Sequence, residues 1–310
     1  MSKYETLSCD NPEYYKKLGI DYDEKNIDEY KSRNDFLYLF LDPQFKPRLY
    51  YNNSITYLIA TVKISKQYIK NNLDDLIFSV YTTLLNNVNL LFISSLLDDS
   101  KILKNEYCTM ITIKNKSLYI DVIQGMNTCG FNIKKTFICI FYIANNIFNV
   151  NNLSLLDTSQ FEYKDEFGKE YDISTKFIRY FLGYPKELIS IYNIFGFNYK
   201  ETVLNEINIP FPNTITIKEL YDGFKEIKNK DAMELCDYLE KNLDITFKQF
   251  IKEKPDLFNI IYIYSYNKLY LYENEIIRKL NTIYTNLSYL TNNLYLELPK
   301  ILLAENYIKF

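Results

Sequence analysis

The 310-residue sequence contains no histidine and no tryptophan. Without imidazole there is no Ser-His-Asp triad, no Cys-His pair, no His general base and no imidazole metal ligand. HExxH proteases and most zinc enzymes are excluded with them, whereas a site built of carboxylates or thiols is not. No metal is expected as cofactor. Glycine is scarce, at seven residues, and five of them (Gly125, Gly130, Gly168, Gly183, Gly196) fall between 125 and 196. In a chain so poor in glycine, that clustering predicts backbone conformations that other residues adopt only at a cost. The five cysteines, Cys9, Cys108, Cys129, Cys139 and Cys236, are scattered, with no C-x-x-C pair. They read as reduced, structural thiols in a cytosol-like compartment. The N-terminus lacks the apolar core of a signal peptide, and no uncharged stretch reaches the ~18 residues of a membrane span. The most apolar segment, Thr136–Val150, is short and contains Asn145, Asn146 and Asn149. Blocks of Lys and Arg are also missing, and the net charge is −3. That balance disfavours DNA or RNA as a partner. The expectation is a soluble cytoplasmic protein with neither membrane nor nucleic acid as partner.

What is abundant is aromatic and apolar. With 31 Tyr and 21 Phe in a chain that is 47% hydrophobic, the sequence is globular rather than disordered. Its length allows one large core or two modest ones. Asn, Ile, Lys and Tyr dominate, the residues that AT-rich codons supply. A large DNA virus, a linear plasmid or a parasite would each fit, and any single Tyr or Asn carries less meaning for it.

Along the chain, residues 1–34 are polar and predict an arm or short irregular helices. Residues 35–41 (DFLYLFL) predict a strand closed by Asp42-Pro43, and 54–64 (SITYLIATVKI) a second. Apolar residues at 69, 73, 76, 77, 80, 81 and 84 follow helical spacing and predict a helix from 66 to about 92. Residues 107–113 and 117–123 flank Lys114-Asn115-Lys116 and predict a hairpin. A long apolar helix is expected from Phe131, then a short buried strand over 151–156. From about 214 the pattern becomes helical, with Thr216-x-x-Glu219 and Thr246-x-x-Gln249 resembling capping boxes. Lys254-Pro255 predicts a helix break, and 257–303 mostly helix. The fold class is α+β: a central mixed sheet flanked by helices over 35–210, followed by a mainly α-helical C-terminal domain over 211–310. Interleaved Tyr and Leu in that last region suit a protein partner.

Residues 153–199 read as a buried strand, a polar turn region, two helical segments and a Tyr-x-x-x-Gly-Phe element ending at Phe197. With the hairpin and helix before them, they give the region 35–200 an order that resembles the GNAT acetyltransferase fold. It is most similar to the divergent versions found in large DNA viruses, which Asp157-x-Ser159 and Arg179…Gly183 also resemble. The resemblance implies that acyl-CoA pyrophosphate binds at the turn 124–132, through Gln124, Gly125, Asn127, Cys129, Gly130 and Asn132. Backbone amides at a helix N-terminus suit that anion. It implies Tyr192 as the general acid that protonates the departing thiolate. The family pattern there is Arg/Gln-x-x-Gly-x-Gly/Ala. This chain keeps one glycine, begins with Asn127 and puts Asn132 where the second small residue belongs, so a side chain enters the phosphate space. Asp121 and Glu106 are candidate bases, Asp121 being expected on the face opposite Tyr119 and Ile123. Cys129, beside a helix N-terminus, is a candidate reactive thiol. The implied function is a GNAT-like domain degenerate in catalysis, serving as a viral structural or interaction module in the host cytoplasm or the virus particle. The alternative is an acetyl-CoA-dependent N-acyltransferase acting on an amine.

Overall fold

Strand-forming residues dominate the first half of the chain and supply eight strands of a nine-stranded mixed sheet. The computed structural model describes residues 3–5, 11–18, 38–52, 55–66, 74–83, 90–95, 107–114, 116–124, 129–164, 168–206, 215–266, 274–290 and 293–297. In chain order the strands are β1 (Lys3–Glu5), β2 (Arg48–Asn52), β3 (Ile55–Ile64), β4 (Leu76–Thr83), β5 (Leu90–Ser95), β6 (Thr109–Lys114), β7 (Ser117–Ile123), β8 (Asn152–Leu156), β9 (Gln160–Lys164), β10 (Glu170–Ser174) and β11 (Asn293–Glu297). The described helices are α1 (Pro12–Lys17), α2 (Tyr38–Leu41), α3 (Ile133–Tyr142), α4 (Thr175–Phe181), α5 (Glu201–Glu206), α6 (Ile217–Phe224), α7 (Lys230–Glu240), α8 (Phe247–Glu253), α9 (Pro255–Tyr266) and α10 (Glu275–Tyr289).

The large sheet runs β1-β2-β3-β4-β5-β6-β7-β8-β11. Neighbours from β1 to β7 are antiparallel, and β8 lies parallel to β7. Successive strand residues point to opposite faces. One face buries Leu58, Ala60, Val62, Phe78, Val80, Leu91 and Ile93. The other buries Tyr50, Tyr57, Ile59 and Tyr81, with Phe92 and Tyr107 packed against them. Their rings form a ladder across the strands, with centroids 5.0 to 6.3 Å apart. Burial on both faces explains the main departure from expectation. Residues 66–92 do not form one helix; they contain β4 and part of β5. A strand with no polar face reads as a near-continuous apolar run, which helical spacing also fits. The strand expected over 35–41 is likewise replaced, at Tyr38–Leu41, by the short α2, in which Leu39, Phe40 and Leu41 are buried. The strand over 54–64, the hairpin, the helix after 131 and the strand over 151–156 all form as expected. Of the expected arm, β1 pairs with β2, and α1 is helical.

The chain divides into Met1–Leu156 with Tyr295–Phe310, and Asp157–Leu294. The onset of the helical pattern placed a boundary near 210. Residues 157–206 instead belong with the helices, through aromatic contacts that composition does not display. Phe177 and Phe181 of α4 meet Phe258 at 6.0 and 5.5 Å, and Phe181 also meets Phe247 at 4.8 Å between ring centroids. Both capping boxes are present, at Thr216/Glu219 and Thr246/Gln249. The break at Lys254-Pro255 falls between α8 and α9, proline taking the first helical position, where its missing N–H costs nothing. Residues 293–297, expected as helix, form β11.

Candidate functional site

The turn between β7 and α3 belongs to the first unit. Gln124 continues the ladder, its N–H donating to the Cys108 carbonyl at 2.8 Å. Gly125 and Asn127 lie outside the described residues. Cys129 is not a free thiol: it is disulfide-bonded to Cys108. This overturns the expectation of reduced cysteines for that pair, and in this state Cys129 offers no thiol. A sequence separation of 21 concealed the pairing, because the β6–β7 hairpin folds the intervening chain back on itself. Cys139 and Cys236 are free and buried.

Gly130 has φ +76°, in the left-handed region that favours glycine, and an added Cβ there would meet Ser95 Oγ at 3.2 Å. Asn132 is the N-cap of α3. Its Oδ1 accepts the Lys135 N–H at 2.9 Å, and its carbonyl accepts the Thr136 N–H at 3.1 Å. The side chain thus satisfies one of the helix's orphan amide donors. Lys134 and Lys135 stand exposed in the first helical turn, so the helix end remains positive while one of its anion-binding amides is already engaged.

On the hairpin, Thr112 Oγ1 donates to Asp121 Oδ2 at 2.7 Å. Burial pushes the Asp121 carboxyl above the usual carboxylate range, and the Thr112 hydroxyl partly opposes this. The Tyr119 phenol is raised by burial and then by the charges of Asp121 and Tyr295. Asp121 therefore acts on Tyr119 rather than facing away from it. Residues two apart on a strand share a face, so the opposite-face expectation was misdrawn. A register shift opens the β6–β7 ladder between Met110 and Ile111. Glu106 lies outside the described residues.

Tyr192 belongs to the second unit. The Tyr-x-x-x-Gly-Phe element is a 3-10 turn, Ile191–Phe195. Ser190 Oγ caps it by accepting the Tyr192 N–H at 3.1 Å. Gly196, at φ +89°, closes it. Tyr192 is buried, and burial followed by the charge of Asp157 holds its phenol protonated far above neutral pH. Such a group donates a hydrogen bond and cannot act as a base at pH 7.

Asp157 organises the surroundings of Tyr192. Its Oδ1 accepts the Ser159 N–H at 3.0 Å and the Ser159 hydroxyl at 2.5 Å, and Ser159 Oγ in turn lies 2.6 Å from Thr175 Oγ1. Asp157 Oδ2 is buried with no hydrogen-bond partner. Lys176 is also buried, and burial lowers the pKa of its amine against the pull of Asp157. The Tyr199 phenol is raised by burial and then by Asp157. Arg179 donates to the Leu188 carbonyl at 2.8 Å and stacks on the Tyr184 ring at 3.8 Å. Sequence reasoning singled out Asp157 and Arg179 only through the resemblance, and it missed Lys176. Its apolar neighbours Ile173, Phe177 and Tyr180, at helical spacing, were the one visible signal.

A cavity of about 180 Å³ lies between α6 and α7, with Phe224, Ile227 and Cys236 among its lining and Lys225, Asp237 and Glu240 around them. Among the described residues no group of three or more acidic or cysteine side chains is placed to hold a metal ion. No described helix is long and apolar enough to cross a membrane. Compared with known protein families, curated proteins and solved structures, the chain finds no match in any of the three.

Proposed function

We propose that the chain carries a GNAT-like scaffold that no longer turns over acyl-CoA and serves as an interaction module, with a large DNA virus as its source. The observation that carries this reading is the cap on α3. A pyrophosphate needs the free amides of a helix N-terminus, and Asn132 Oδ1 already holds the Lys135 N–H. The neighbouring disulfide further fastens the turn. A module also needs surface to offer. Met233, Tyr266 and Tyr289, on three helices of the second unit, are about 60–70% exposed. Large side chains of this kind suit a protein partner.

The test is the thermal stability of the purified protein with and without millimolar acetyl-CoA. A ligand at one hundred times its Kd stabilises its target by about 2.7 kcal/mol. No shift is expected. A shift that disappears in Gly130→Glu would sink the proposal.

One observation favours the alternative, an acetyl-CoA-dependent N-acyltransferase. β7, α3 and the parallel β8 form a crossover that starts a helix beyond the carboxyl end of β7. In open α/β sheets, ligands bind at such ends. The raised pKa of Asp121 would suit a base that takes the proton of an attacking amine. Acetyl-CoA binding without turnover in Asp121→Asn, with turnover in the wild type, would establish that reading instead.

A further inference from the structure

We propose that Cys108 and Cys129 are a reversible oxidative modification site, a dithiol–disulfide couple that fastens and releases the turn leading into α3. The two cysteines are held differently by the backbone. Cys108 is locked into the sheet on both sides: its N–H donates to the Ile93 carbonyl at 2.7 Å, and its carbonyl accepts the Gln124 N–H at 2.8 Å. Cys129, itself buried, sits in the strand-to-helix turn beside the exposed Gly130, so a small disulfide reaches it when that turn opens. The bond therefore ties a connecting segment to a fixed anchor.

The surroundings suit the reduced state as well. The Cys108 sulfur lies 3.5 Å from the Cys129 carbonyl, and the Cys129 sulfur 3.5 Å from the Phe131 carbonyl. Each sulfur, once reduced, has an acceptor in place for its S–H, so neither buried thiol is left unsatisfied. The Phe131 N–H points at the Cys129 sulfur at 3.4 Å. A Cys129 thiolate would accept that N–H, a donor already in place for the charged form.

Cys129 is thus the attacking sulfur and Cys108 the resolving one. The Cys129 thiolate attacks a low-molecular-weight disulfide such as glutathione disulfide, forming a mixed disulfide and expelling one glutathione thiolate. The Cys108 thiolate then attacks the Cys129 sulfur and expels the second. Two protein thiols are oxidised, one disulfide of the donor is reduced to two thiols, and two protons pass from protein to glutathione. Burial raises the Cys139 thiol pKa, and burial with Asp237 and Glu240 raises Cys236 to about 11, so neither free described thiol competes. The couple does not depend on whether acyl-CoA binds.

The experiment equilibrates the full chain in mixtures of reduced and oxidised glutathione. Thiols are counted by alkylation and mass spectrometry, and amide hydrogen exchange is followed over 131–136 and over α9. The oxidised fraction should follow the ratio of glutathione squared to glutathione disulfide. Reduction should speed exchange over 131–136 by about tenfold or more and leave α9 unchanged. Cys108→Ser should exchange over 131–136 as the reduced wild type does and, lacking the resolving sulfur, should keep one glutathione on Cys129 in the oxidising mixtures. If that variant does not fold, the wild-type titration decides alone. Three results would overturn the proposal. These are both thiols alkylated even in oxidised glutathione, equal exchange over 131–136 in the two states, and a bond that dithiothreitol opens only after the protein unfolds.

Discussion

Replacing Gly223 by alanine tests the packing of the helical unit, because two known effects of opposite sign meet there. Gly223 lies inside α6, where Gly→Ala ordinarily stabilises a helix by about 1 kcal/mol. Here the new Cβ would stand 2.7 Å from Ile276 Cβ, 2.8 Å from Ile276 Cγ1 and 3.2 Å from Asn274 Oδ1. Those atoms have little freedom to retreat. Asn274 caps α10, accepting the N–H groups of Ile276 and Ile277 at 3.0 and 3.1 Å, and its Nδ2 donates back to the Gly223 carbonyl at 2.5 Å. The added methyl must push the two helices apart, an overpacking cost of about 1–3 kcal/mol. Losing the Asn274 cap adds about 1 kcal/mol. The clash outweighs the propensity gain, and Gly223→Ala should destabilise the unit by about 1–3 kcal/mol. A chain of this size then melts roughly 2–4 °C lower per kcal/mol lost. Urea unfolding followed by circular dichroism and by tyrosine emission, free of tryptophan background, measures it. Asn274→Ala should cost less in the Gly223→Ala background than alone, because the cap would already be disturbed. A Gly223→Ala protein as stable as wild type, or more so, would refute the account.

Removing the cross-link by Cys108→Ala with Cys129→Ala should cost about 3 kcal/mol, the chain-entropy value for a loop of this length; denaturant midpoints with and without reductant check it. Asn132→Ala should lower stability by about 1 kcal/mol through loss of the α3 cap, read by the same unfolding curves. The folded pKa of Asp121 is raised above its unfolded value, so its ionisation opposes folding as pH rises through that pKa. Relative to Asp121→Asn, the wild type should therefore lose stability between acid and neutral pH, measured as a growing difference in Tm; a constant difference would contradict it.

The hairpin, the crossover helix and both capping boxes were legible because their signals are local. Two-residue alternation ends at a polar turn in 107–123, and a threonine sits three residues before a carboxylate or amide at 216 and 246. β4 was not legible: burial on both faces erased its polar face, and what remained fitted helical spacing. The Cys108–Cys129 pairing and the cluster at Asp157 were hidden for a different reason. Each joins residues distant in sequence, and only the folded chain decides which of them meet. Glycine scarcity was informative in the opposite way. With so few glycines, Gly130 and Gly196 stood out, and both adopt left-handed φ values.

The order of strands has a consequence for how the protein is made. β8 is synthesised with β7 beside it, but its other neighbour, β11, follows only after residues 157–292. At typical translation rates that interval lasts roughly seven to thirty seconds. Throughout it the nascent sheet carries an open edge at β8, with backbone donors and acceptors free to pair with another chain. Crowded polysomes would favour that wrong pairing, so the yield of folded protein should fall when synthesis is slowed between β8 and β11.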